Sequence, residues 1–105
     1  MSLPEAKLFV GAVGVIFEVT FKDQDGAVID ISSMTANTLT FRKSSGAGMT
    51  KTGVLSTDGS DGKLRYVTIV DDLNEAGWWK LQGDITLTGW DGPSNIVEFE
   101  VFKNL

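Results

Sequence analysis

At 105 residues the chain has the size of one domain, and a folded chain of that length hides roughly two-thirds of its unfolded surface, so a single core over residues 1–105 needs no metal or disulfide staple. Cysteine and histidine are both absent, which removes thiolate nucleophiles, disulfides, thiolate metal sites and the side chain most often used as general base or metal ligand. Nine Lys+Arg against 14 Asp+Glu leave a net charge of −5 with the cations scattered, so nucleic acid finds no footprint, and every apolar stretch falls far short of the roughly 20 residues of a membrane helix.

In chain order, Met1-Ser2-Leu3 joins no periodic pattern and is assigned no structural role, and the first residues lack the basic-then-apolar pattern of a signal peptide. The chain therefore reads as a soluble protein. Alternation over Val15 to Phe21 predicts a half-buried strand with Val15, Phe17, Val19 and Phe21 facing in. Asp23-Gln24-Asp25-Gly26 is a turn, and Ala27 to Ile31 resumes an extended course. Asn37 to Lys43 is a strand with Leu39 and Phe41 inward, ending at a mobile Ser44–Gly48 loop. Thr50 to Thr57 is expected as one polar edge strand, paired through the Asp58–Gly62 turn with Lys63 to Val70. Asp71 to Gly77 suits one helical turn, with aspartates ahead of Leu73 and a glycine at the end.

Trp78 to Thr88 is expected to be the longest strand, with Trp79, Leu81, Gly83, Ile85 and Leu87 inward. A turn at Trp90-Asp91-Gly92-Pro93 then leads to Asn95–Phe102, with Val97, Phe99 and Val101 inward. About seven short strands at this spacing predict an all-β, immunoglobulin-like antiparallel β-sandwich, with a small closed barrel as the structural alternative.

Chemical constellations are sparse. Asp23 and Asp25 followed by Gly26 resemble the opening of a calcium loop, but the twelfth position is Met34, where that loop needs a bidentate glutamate. Asp58, Asp61, Asp71 and Asp72 form a second acidic group better explained as turn chemistry. Asp84, Glu98 and Glu100 lie on predicted outward faces, where carboxylates are ordinarily solvated rather than paired for glycoside hydrolysis. Gly46-Ala47-Gly48 leads into no helix and makes no phosphate loop. The reading is a non-enzyme with no catalytic residue, no metal and no cofactor. Among the three tryptophans, Trp79 shares the inward parity of Leu81, while Trp78 and Trp90 fall on the other face or a turn; with Phe102 they are the candidate interface residues. Their indoles also suit carbohydrate stacking.

The segments F-x-V-T-F-K-D-Q-D-G-A-V-I-D-I-S, T-L-T-F-R-K and S-T-D-G-S-D-G-K-L-R-Y-V, followed by D-D-L-N-E-A-G-W-W-K-L-Q and N-I-V-E-F-E-V, resemble small phage virion proteins. The likeness is to the N-terminal domain of phage baseplate upper proteins and related immunoglobulin-like tail modules, over about Leu8 to Val101. Gly62, Tyr66, Leu73, Ala76, Gly77, Trp79 and Lys80 carry it through the pattern G-K-x-x-Y…D-L-x-x-A-G-x-W-K. Ser44 to Met49 departs from the family, where a proline-aspartate-glycine turn is common, and this chain lacks the receptor-holder region that follows in baseplate upper proteins. The resemblance implies a standalone virion module, made in the bacterial host cytoplasm. It would dock on other phage structural proteins or on itself through its terminal strands near Leu8 and Phe102 and through the Ser44–Gly48 loop. The alternative is a carbohydrate-binding or host-adhesion module using Trp78 and Trp90.

Overall fold

The computed structural model describes residues 8–103, so Met1-Ser2-Leu3 lies outside the described residues. Eight strands run β1 (Leu8–Phe9), β2 (Ile16–Thr20), β3 (Ala36–Arg42), β4 (Gly48–Lys51), β5 (Val54–Leu55), β6 (Lys63–Val67), β7 (Gly77–Leu87) and β8 (Trp90–Phe102). They form a five-stranded sheet in the order β1-β8-β7-β3-β4 and a three-stranded sheet in the order β2-β6-β5. All neighbours are antiparallel except β1, which runs parallel to β8.

Alternation decides which side chains meet between the sheets. Phe17, Val19 and Leu64 enter from the small sheet, and Leu39, Phe41, Trp79, Leu81, Ile85 and Val101 from the large one, all buried. The ring of Phe17 lies 5.6 Å from Phe41 and 4.4 Å from Phe99, so aromatic contacts join the two layers as in a β-sandwich. Phe21, Ile31 and Leu73 complete the core from the connections.

Four expectations differ from the structure. The extended piece at Ala27 to Ile31 contributes a single bridge, Lys22 to Val28, and the fully buried Ile31 side chain rather than a strand. The expected Thr50–Thr57 strand divides, because the chain leaves the large sheet after Lys51 and joins the small sheet at Val54. Gly53 sits at that crossing, where a Cβ would lie 2.9 Å from the Arg65 carbonyl oxygen and from Leu64 Cγ. No helical turn forms at Asp71 to Gly77: Asp71 and Gly77 take φ of 70° and 123°, and the Asp72 carboxylate turns back to accept the Ile69 N–H.

The fourth difference lies at the end of β7. The chain reverses at Thr88-Gly89, so Trp90 to Pro93 are not a turn but the start of β8, which at 13 residues exceeds the 11 of β7. Gln82 pairs with Ile96 and Asp84 with Pro93, so β8 carries one extra residue at Ser94-Asn95. That bulge exchanges the two faces of β8. Trp90 shares the inner side with Leu87 and Ile85, whereas Ile96, Glu98, Glu100 and Phe102, of the same parity, lie on the outer side. Ser94 holds the bulge through its hydroxyl, which accepts the Gly83 N–H at 2.8 Å.

Candidate interaction surface

The residues that carry the family-like pattern turn out to hold the sandwich together. Tyr66, on β6, donates its hydroxyl to Asp72 Oδ2, which also accepts the Ile69 N–H at 2.8 Å; Lys51 Nζ lies 3.0 Å from Asp72 Oδ1. Burial alone would raise the Asp72 pKa, but the Ile69 N–H, the Tyr66 hydroxyl and the Lys51 ammonium outweigh it and hold the carboxyl below its ordinary 3.8. The bond to Asp72 in turn raises the Lys51 pKa, and burial followed by the Asp72 bond raises that of Tyr66. Leu73 is fully buried beside this corner, and the Trp79 indole N–H donates to the Glu75 carbonyl at 3.2 Å. At Gly77 a positive φ and the Ser44 side chain together demand glycine, since a Cβ there would sit 2.5 Å from Ser44 Cβ.

The Ser44–Gly48 loop is hydrogen-bonded to the Glu75–Ala76 segment. Glu75 accepts the Ser45 N–H at 2.9 Å, and the Ser44 hydroxyl lies 2.8 Å from its carboxylate and 2.7 Å from the Ala76 carbonyl. The Ser44 hydroxyl and the Ser45 N–H lower the Glu75 pKa, and Lys43 Nζ reaches Asn74 at 2.8 Å.

The acidic turn residues spend their oxygens locally. Asp23 accepts the Asp25 and Ala27 N–H groups, Asp58 the Ser60 N–H and hydroxyl, and Asp61 the Lys63 N–H and Thr57 hydroxyl. The Ser60 hydroxyl lowers the Asp58 pKa, as Ser32 does for Asp30. Among the described residues no three carboxylates converge as a metal site.

The three candidate interface residues divide. Trp78 is 63% exposed on the outer face of the large sheet, opposite Glu100. Phe102 shares that face, half-buried against Phe9 at 6.1 Å between ring centroids. Trp90 is half-buried on the inner side at the far end of the hairpin, most of the length of β7 away, roughly 30 Å. Trp78 and Trp90 therefore do not form one platform.

Sequence reasoning missed two features. Ile96, 56% exposed, extends the Phe9–Phe102–Trp78 face and, with Thr40, Arg42, Lys80, Gln82 and Asp84, lines a shallow open groove of ≈ 250 Å³. On the small sheet Ile16 and Val67 pair on the outer face, continued by exposed Ile69 and Val70. Aliphatic residues in the outward phase of an alternating strand were the available signal, already visible at Ile16. Compared with family models, curated proteins and solved structures, the chain gives no match.

Proposed function

We propose that this chain is a non-catalytic, immunoglobulin-like assembly module of a phage or prophage virion, of the tail or baseplate type, acting through protein–protein contacts. The observation that carries the assembly reading is the outer face of the large sheet. There the exposed Phe9, Trp78 and Ile96 and the half-buried Phe102 are interleaved with Lys80, Glu98 and Glu100, a mixed face carrying aromatic side chains of the kind that anchor protein interfaces. The order β8-β7-β3-β4 against β2-β6-β5 supports the immunoglobulin-like part, since it is the pairing of a G-F-C-C′ sheet with a B-E-D sheet. The virion assignment rests on the resemblance of the Gly62 to Lys80 pattern.

Particles induced from the strain that carries the gene test this reading. The chain is expected to co-sediment with gradient-purified virions, and Trp78→Ala to lower its incorporation. A chain left wholly in the soluble fraction would sink the virion reading. The exposed Trp78 indole beside Glu100 also favours a second reading, carbohydrate binding by Trp78 without Trp90. Glycan binding lost in Trp78→Ala and kept in Trp90→Ala would establish it.

A further inference from the structure

We propose that this chain pairs with a second copy of itself, outer face of the large sheet against outer face, about a two-fold axis that crosses the strands along Thr40, Gln82 and Ile96. This rests on the assembly reading above and names one partner, the chain itself. Strand register lays the face out in rows: Arg42, Lys80 and Glu98 stand side by side, then Thr40, Gln82 and Ile96, then Thr38, Asp84 and Pro93. The shallow groove takes its lining from all three rows, and its signs differ from one side to the other. Arg42 and Lys80 are cations on one side of the middle row, and Asp84 is a carboxylate on the other. A two-fold axis along the middle row turns the second copy face down and exchanges the outer rows, so Lys80 of each copy comes against Asp84 of the other, twice. Arg42 on the neighbouring strand reaches the same carboxylate, because the residue opposite it is the short Thr38. On the axis Ile96 meets Ile96, an apolar contact, and Gln82 meets Gln82, whose amides carry both donors and acceptors.

Charge order selects a second copy as the occupant. Lys80 and Asp84 lie four residues apart on one strand, about 13 Å, too far to pair within a chain. The contact that Lys80 does make, with Glu98 at 4.0 Å, joins side chains 63% and 60% exposed; it contributes little and leaves the ammonium able to take a second carboxylate. A partner of uniform charge is repelled by one side of the groove, whereas a second copy supplies both signs in the required order. The contact centres on β7, an interior strand of the five-stranded sheet. Five strands at their usual spacing span roughly 20 Å, and three rows with their flanks about 30 Å, so each copy covers about 600 Å². That lies at the lower end for specific interfaces and suits a reversible dimer. The like charges Glu100 and Asp91 approach only outside the three rows, in water at the margin, where they cost little. Trp78 and Phe102 also lie beyond the paired rows and are left for the virion contact.

The test follows self-association of the full-length chain by sedimentation equilibrium from about 10 µM to about 1 mM, with Lys80→Asp and Asp84→Lys as variants. The unaltered chain is expected to pass from monomer to dimer as concentration rises. Each single variant sets like charges together twice and weakens the dimer about tenfold or more. An equimolar mixture of the two variants restores the dimer, because each supplies the sign that the other lacks. With the ¹⁵N-labelled unaltered chain, dilution is expected to shift the amides of Thr40, Gln82 and Ile96. A chain monomeric across the whole range, a dimer indifferent to either reversal, or a mixture no tighter than its components each overturns the proposal. Dilution shifts confined to other residues overturn it even if both variants misfold. If the chain sediments with virions yet stays monomeric, the pairing proposal alone falls; a dimer absent from virions sinks the virion reading and leaves the pairing intact.

Discussion

Asp72 and Glu100 lie close to the two ends of β7 and β8, yet the fold treats them in opposite ways. Asp72 is 3% exposed and receives the Ile69 N–H, the Tyr66 hydroxyl and the Lys51 ammonium, whereas Glu100 stands on the outer sheet face with no ion pair among the described residues. A buried carboxylate is tolerated only when its lone pairs are occupied, so the residues around Asp72 are committed to holding the connection between the sheets. Glu100, half-buried on the outer sheet face, has no comparable set of donors among the described residues. The most recognisable spacing in the sequence, from Gly62 to Lys80, thus serves the scaffold, and Glu100 on β8 lies outside it.

The largest expected effect sharpens the scaffold side. Trp79→Ala removes a fully buried indole at the start of β7 and should cost about 3–5 kcal/mol, read by denaturant unfolding; a loss below about 1 kcal/mol would remove Trp79 from the core. Next, Asp72→Asn leaves Lys51 without its counter-ion and should cost roughly 2–4 kcal/mol. The same variant has a pH signature. Because folding depresses the Asp72 pKa, its stabilisation is present above its ordinary 3.8 and is lost as pH falls through the lower folded value. Lys51 and Tyr66 titrate higher in the folded chain, so their contribution is complete below their ordinary values of 10.5 and 10.0 and is lost as pH rises through the folded ones. Asp72→Asn should flatten both limbs of the melting-temperature profile, and unchanged limbs would break the contrast with Glu100.

Smaller effects probe the crossing and the open face. Gly53→Ala forces a Cβ against the Arg65 carbonyl just after Lys51 and should cost about 1–3 kcal/mol, with wild-type stability arguing that the crossing gives way easily. Trp78→Ala should change stability by no more than about 0.5 kcal/mol, because its indole is exposed. A large loss there would place Trp78 with the scaffold and erase the difference between the two regions.

Much of the core was legible from alternation alone. Phe17, Val19, Leu39, Phe41, Trp79, Leu81 and Ile85 follow a period of two within single strands, Phe21 continues it one residue past β2, and all are buried as that period requires. The site was less legible. Trp78 was identified as outward, but Trp90, read as part of a turn, was not recognisable as inner, because the chain reverses already at Thr88-Gly89 and pairs Trp90 with Leu87, and the extra residue at Ser94-Asn95 then reverses the parity along β8. The Asp71–Gly77 segment carried genuine helix-end signals, which lost to the bonds Asp72 makes with Ile69, Tyr66 and Lys51.

What the sequence determined by itself is the all-β class, the inward set of the well-alternating strands and the lack of histidine and cysteine chemistry, since each depends on residue type or on neighbours two apart. Only the tertiary structure decided that Thr50 to Thr57 divides between two sheets, that β8 carries a bulge, and that Phe9, Trp78, Ile96 and Phe102 share a face. These depend on pairings between residues far apart in the chain. Local periodicity registers which way a side chain points relative to its neighbours, but not which strand comes to lie beside it.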